Sequence, residues 1–279
     1  MGTGSSKLGG GGGAKRTKKS TQPQDFPEAF APGKDFQAVN GVDHAARTVS
    51  RTTQGEWDQY SASMNANVSA ADEKAIMRDF TTTPNSKGAY VNGYVRTQNS
   101  FAINEAFYDP KNDGKSINQI FSRPSDRKTV KALDKAINNH VTPADASYTR
   151  FSSPGGIQGA FGLSNAQMQM LSQAGSMTPS QLAQLNKALS GSGSFSKSYT
   201  STSANRSLNA FSNPNAKQSK GFIFERKINI PKGTNAFAPR KNAQESEVIF
   251  GRNMKTKLTG ISVGSDGHIV LHETFDGYQ

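Results

Sequence analysis

Between residues 56 and 189 the apolar positions recur mainly at three- and four-residue spacing, the period of a helix with one face against a core. Residues 56–80 read as helix, with Ser69 and the pair Asp72, Glu73 giving an N-terminal cap signal just before Ala75-Ile76. Residues 90–107 give a second helical stretch, weakened by Gly93. Residues 126–139 are the clearest helix: Val130, Leu133, Ala136 and Ile137 fall on one stripe, and Pro143 stops the pattern. Residues 178–189 predict a further helix, capped by Thr178 with Pro179 in its first turn.

After residue 190 the period shortens. GSGSFSKSYTSTSAN, GFIFERKINIPKGTNAFAP, SEVIFGRNMKTKLTGISVG and HIVLHETF are short β-branched or aromatic runs divided by Gly, Pro and Asn. Such runs predict a meandering sheet. Helices first and strands later make the class α+β, with helices before residue 145 on one flank and the sheets after it. Residues 36–279 are expected to form a single domain, helical over 36–145 and β-rich over 146–279.

Composition changes the picture at the N-terminus. Residues 1–35 contain a run of five glycines followed by Lys15, Arg16, Lys18 and Lys19, with almost nothing to bury. They are expected to be a disordered basic arm. The opening Met1-Gly2-Thr3-Gly4-Ser5-Ser6 also fits the loose pattern for N-myristoylation, though in a tract rich in Gly and Ser. The whole chain carries 33 Lys and Arg against 21 Asp and Glu, a formal +12. That balance favours acidic partners such as nucleic acid, an anionic surface or a phosphate-bearing ligand, without choosing among them.

Other classes fall away. With no cysteine there is no disulfide, thiolate nucleophile or cysteine-ligated metal. His268 and His272 lie four apart in a segment that reads as strand, where they would share a face without making a helical metal pair. Neither a signal-peptide hydrophobic region nor an apolar run long enough to span a membrane is found.

Three features carry candidate chemistry. Ser147-Tyr148-Thr149-Arg150 closes a predicted strand; Thr200-Ser201-Thr202-Ser203 follows, Ser201 lying 51 residues after Arg150; Glu245-Ser246-Glu247 comes 44 residues after Ser201. Each is common alone. In this order they resemble the R-S-E class of mono-ADP-ribosyltransferases, the group that includes clostridial actin-modifying toxins, cholera-like toxins and arginine-specific ectoenzymes. The flanks are similar too: the stretch from Ala75-Ile76 through Tyr90-Val91-Asn92 to Val95-Arg96, the segment LDKAINNHVTPADASYTR, and INIPKGTNAFAP before the acidic turn. The resemblance spans roughly residues 56–272. Two positions depart from the family pattern. Phe151 stands where glycine usually follows the arginine, and Phe250-Gly251-Arg252 lacks the usual proline. Arg96 is the alternative for the essential arginine; Arg150 is taken because it ends a predicted strand.

The resemblance implies a compact α+β fold, with two small packed β-sheets flanked by helices around an NAD⁺ cleft. It implies NAD⁺ as substrate, no metal and a monomeric enzyme. Glu247 would face the oxocarbenium-like ribose, Arg150 the pyrophosphate, and Ser201 would orient Glu247; Thr202 and Ser203 would support the nicotinamide pocket. Glu245, two residues before Glu247, would orient the nucleophile and take its proton. In this family a glutamate at that place goes with arginine as acceptor, so the expected partner is a target protein with an exposed arginine, and NAD⁺ hydrolysis is the expected side reaction. If residues 245–247 are extended, both carboxylates face one site. Other readings stay open: modification of nucleic acid, or a non-enzymatic basic nucleic-acid-binding or virion protein. An enzyme of this kind would be carried in a phage particle or delivered by secretion into a target cell.

Overall fold

In the computed structural model the described residues are 54–62, 64–65, 67–79, 82–84, 94–96, 98–204, 224–239, 246–264 and 268–279. The basic arm and the Gly2 acylation signal lie outside them.

Eight α-helices and ten strands are described. The first half holds α1 (Gln54–Ala62), α2 (Ala70–Asp79), β1 (Thr82–Pro84), β2 (Tyr94–Arg96), α3 (Gln98–Tyr108), α4 (Ile117–Ile120) and α5 (Pro124–Asn138). The second half begins with β3 (Ala146–Ser152), α6 (Pro154–Phe161), α7 (Asn165–Ser172), α8 (Pro179–Leu189) and β4 (Gly193–Ser196). It ends with β5 (Thr200–Ser203), β6 (Phe224–Ile230), β7 (Ala236–Phe237), β8 (Glu247–Phe250), β9 (Met254–Val263) and β10 (Ile269–Tyr278).

Capping chemistry sets the helix starts. The Ser69 hydroxyl accepts from the Asp72 amide at 3.1 Å, so the continuous helix expected over 56–80 is two helices, the second opened by its own cap. Thr178 and Gln181 form a reciprocal capping box at α8, with Pro179 in the first turn. α5 buries Val130, Leu133, Ala136 and Ile137 on the stripe read from the sequence.

The strands run in the order β4-β9-β10-β6-β3-β5-β8-β7, with β1 and β2 paired separately. β10 lies parallel to β6, and the other pairings are antiparallel. The two expected sheets are present as two halves joined at a seam. β3 meets β5 through one register pair, Thr149 with Ser203, whereas β3 and β6 share seven, from Ala146–Ile230 to Ser152–Phe224. The halves enclose a core in which Tyr148, Ile228 and Ile230 meet Val248 and Phe250, closed by Trp57 and Tyr60 of α1. α3 and α5 cover the outer side of the smaller half, where Leu133 and Ile137 pack with Tyr199, Phe237 and Ile249. α6, α7 and α8 cover the larger half through Ile157, Leu171, Leu182 and Leu185 against Phe224, Leu258 and Leu271.

Three placements differ from the sequence reading. Arg96 lies on β2, not in a helix, because the helical stretch starts only at Gln98. Helices α6 and α7 follow β3, in a stretch where the sequence reading placed no helix. Phe151 continues β3 opposite Glu225, and the chain turns only at Ser153, whose hydroxyl accepts from the Gly156 amide at 3.2 Å. The IPKGT segment makes a turn in which Gly233 has φ of 87°, a left-handed conformation that glycine adopts without steric cost. Backbone bonds from Thr142 to Thr234 (2.8 Å) and from Gly233 to Thr142 (3.0 Å) pin that turn to the segment after α5. Among the described residues no helix is long and apolar enough to cross a membrane.

Candidate active site

The seam between the two half-sheets gathers the sequence-predicted residues. On the short β5–β8 ladder Ser201 stands opposite Ile249 and Ser203 opposite Glu247. Ser201 and Glu247 are therefore diagonal neighbours on one face. The Ser201 hydroxyl donates to the Glu247 carboxylate, and both side chains are buried. Arg150 reaches across from β3, and its guanidinium Nη1 donates to the Ser201 carbonyl at 2.7 Å. Arg150 stays half-buried at the seam. Residues far apart in sequence thus meet as a cation, a hydroxyl and a carboxylate.

Ser203 pairs with both Thr149 and Glu247, at the rung where the halves join. Thr202 alternates to the other face, where its hydroxyl donates to the Val248 carbonyl at 2.9 Å. Glu245 lies outside the described residues. The extended geometry assumed for residues 245–247 does not hold, because Ser246 has φ of 44° and the strand begins only at Glu247. Strand alternation therefore does not relate the two carboxylates. Ser246 is fully buried and accepts from the Ala204 amide at 2.9 Å, so this turn is built into the end of the β5–β8 pair.

Two polar networks flank the site and carry no motif in the sequence. Asp134 of α5 accepts from Tyr199 at 2.5 Å and from Arg252 at 2.8 and 3.2 Å. Burial, then the Asp134 carboxylate, pushes the Tyr199 phenol well above its ordinary range. On the larger half, Arg226 makes a two-pronged ion pair with Glu273, both contacts 2.6 Å, under the Phe161 ring. Ser194 and Thr256 complete that buried cluster. Arg226 stands opposite Arg150 in the β3–β6 register, but its charge is matched inside the sheet. The histidines also have local partners: His268 meets Glu225, and His272 lies 2.9 Å from the Ser262 hydroxyl.

A buried carboxylate held by a hydroxyl, with a guanidinium alongside, suits a reaction that develops positive charge on a sugar while an anionic diphosphate is held. The sequence model of the ADP-ribosyltransferase exoenzyme family matches residues 56–274, a span that contains the whole seam. The chain belongs to this family. Solved structures of similar fold include C3stau2 from S. aureus, determined with NAD. It is 20% identical over 84% of this chain and 100% of its own, with a TM-score of 0.56. The Clostridium limosum C3 exoenzyme is 18% identical over 81% of this chain and 96% of its own, also at 0.56. Plx2a, an ADP-ribosyltransferase toxin from Paenibacillus larvae, is 15% identical over 85% and 100%, at 0.54. No curated protein sequence matches the chain. Family membership makes the chain an ADP-ribosyltransferase of the bacterial toxin type that uses NAD⁺. The α+β fold of the exoenzymes is the one observed, its two sheets fused at the Thr149–Ser203 rung.

Proposed function

We propose that the protein transfers ADP-ribose from NAD⁺ to an arginine side chain of a target protein after delivery into a target cell. The observation that carries the reading is the Ser201–Glu247 hydrogen bond with Arg150 on the Ser201 carbonyl. Arg150 holds the NAD⁺ diphosphate through planar charge-assisted donors, which a lysine would supply less well. Glu247, oriented by Ser201, accepts from the ribose hydroxyls and sets negative charge beside the sugar as the bond from C1′ to nicotinamide breaks. Nicotinamide leaves with the bonding electron pair and is thereby neutral. Ser203 and Thr202 support the nicotinamide pocket, Thr202 through the strand backbone it braces. A guanidine nitrogen of the target attacks C1′, and Glu245 takes the proton it sheds. The acceptor assignment rests on Glu245 standing two residues before Glu247. Where water replaces the target, the same site hydrolyses NAD⁺.

The test is transfer of tagged ADP-ribose to cell lysate and to agmatine, a small guanidine, for wild type, Glu247→Gln and Glu245→Gln. Label that survives nuclease, reaches agmatine and disappears in Glu247→Gln is the expected result. Glu245→Gln is expected to lose transfer while still releasing nicotinamide. Label removed by nuclease would move the acceptor to nucleic acid, and a silent wild type would defeat the reading.

A further inference from the structure

We infer that Arg252 is a positioning residue for this reaction, acting with Asp134 and Tyr199 as a clamp on the strands that carry Ser201 and Glu247. The inference rests on the reading that Glu247 is the catalytic carboxylate. The strands concerned are poorly anchored on their own. β5 and β8 are four residues each, β7 is two, and among the described residues one register pair, Thr149–Ser203, joins β5 to β3. A slip of one residue on β5 would turn Ser201 to the far face and bring a threonine toward Glu247. Four rungs of backbone bonds and the burial of both strands oppose such a slip, and the clamp adds to them.

The clamp closes the other end of the ladder. Tyr199 immediately precedes β5, and Arg252 lies two residues beyond β8, flanking the terminal rung Thr200–Phe250. Both reach one carboxylate. Tyr199 donates to Asp134 Oδ1, Arg252 Nε donates to the same oxygen at 3.2 Å, and Arg252 Nη2 donates to Oδ2 at 2.8 Å. The guanidinium also lies over the Phe107 ring at 4.8 Å and near the Tyr199 ring at 5.8 Å. Asp134 is fixed because its neighbours on α5, Leu133 and Ile137, are buried against Ile249 and Phe237. Tyr199 packs with Ile249, which stands opposite Ser201, so fixing the phenol restrains the strand face that carries the Ser201 hydroxyl. The Arg252 and Asp134 side chains keep 29% and 23% of their surface exposed, which limits what this pair contributes to global stability. Its effect is expected in the register of the ladder and so in kcat.

The experiment follows nicotinamide release by Arg252→Gln, Arg252→Lys, Asp134→Asn, Ser201→Ala and the double variant Ser201→Ala/Arg252→Gln, with melting temperatures beside the rates. We expect Arg252→Gln and Asp134→Asn to lower kcat about 10- to 100-fold, as misplacement of a reacting group by an ångström does. KM for NAD⁺ should change less than kcat, because Arg150 is carried by β3 and its bond to the Ser201 carbonyl involves strand backbone, not the hydroxyl that a register shift turns away. Arg252→Lys should recover part of the loss, since lysine restores the charge without the planar fork. In the Ser201→Ala background, Arg252→Gln should add little, because the contact it positions is already gone. Wild-type kcat with a lowered melting temperature, or a full additional loss in the double variant, would overturn the inference alone. A wild type that releases no nicotinamide would overturn the functional reading and this inference with it.

Discussion

At the residue scale, the proposed function gives Arg150 and Ser201 separable tasks. Arg150 donates to the Ser201 carbonyl of β5 and stays half-buried at the seam. Arg150→Lys is expected to raise KM for NAD⁺ about tenfold or more, since one ammonium cannot reproduce two parallel charge-assisted bonds; unchanged KM in initial-rate measurements would remove it from the diphosphate role. Ser201→Ala leaves the Glu247 carboxylate in place without its orienting donor. A fall in kcat of about 10²-fold, with little change in KM, is the expected result. Arg150, Ser201 and Glu247 were picked out by their order along the chain, and the fold brings the three together at the seam. Asp134 and Arg252 were not picked out. An aspartate mid-helix and an arginine after a strand look like surface residues until the fold brings them to one point, and only the 118-residue separation of their contact explains why spacing could not reveal it.

At the element scale, strongly periodic stretches were legible and weakly periodic ones were not. α5 and α8 appear within two residues of their expected limits, because a buried stripe marks α5 and a capping box with Pro179 marks the start of α8. α6 has Gly155, Gly156 and Gly159 in eight residues, a composition that disfavours helix, and packing of Ile157 in the core overrides it. α7 did carry a readable signal, the Ser164–Gln167 capping box, in a stretch otherwise lacking apolar period. The Glu245–Glu247 alternation failed because a left-handed residue in the middle cannot be seen from side-chain pattern. Two substitutions test how the elements hold the site. Leu133→Ala removes a fully buried side chain between α5 and the sheet half that carries Glu247. It should destabilise by about 2–5 kcal/mol in urea unfolding. Glu273→Gln leaves the buried Arg226 guanidinium without a counter-charge, and a loss of about 3–5 kcal/mol is expected. A much smaller loss would mean that water reaches Arg226 through the layer formed by α6.

At the scale of the whole molecule, two pH effects of opposite sign compete above neutrality. The chain carries +12 at pH 7, and its isoelectric point is near 9.8, so raising the pH first removes self-repulsion and favours the compact state. The buried phenols work the other way. Tyr60 and Tyr148 bond to each other in the core between the half-sheets, and Tyr199 is buried against α5. Burial raises all three above the ordinary tyrosine value, with the Asp134 charge adding to the effect at Tyr199. In each case the fold retains a proton that the unfolded chain gives up near pH 10. The stability they contribute is therefore complete below about pH 10 and is lost as pH climbs toward their folded values. Each such phenol removes about 1.4 kcal/mol per pH unit in that window, so three remove about 4. Relief of surface repulsion is screened by salt and is exhausted near the isoelectric point, so the phenols decide the outcome. Urea unfolding is expected to show a flat or slightly rising stability from pH 7 to 9.5 and a steep fall above pH 10. Because domains hold only about 5–15 kcal/mol in total, the fall should end in cooperative alkaline unfolding, with phenolate absorbance and helix signal changing together. Smooth titration of all the tyrosines around pH 10 with the helix signal intact would mean that these phenols are reached by solvent, and that the core joining the two half-sheets is looser than its packing indicates.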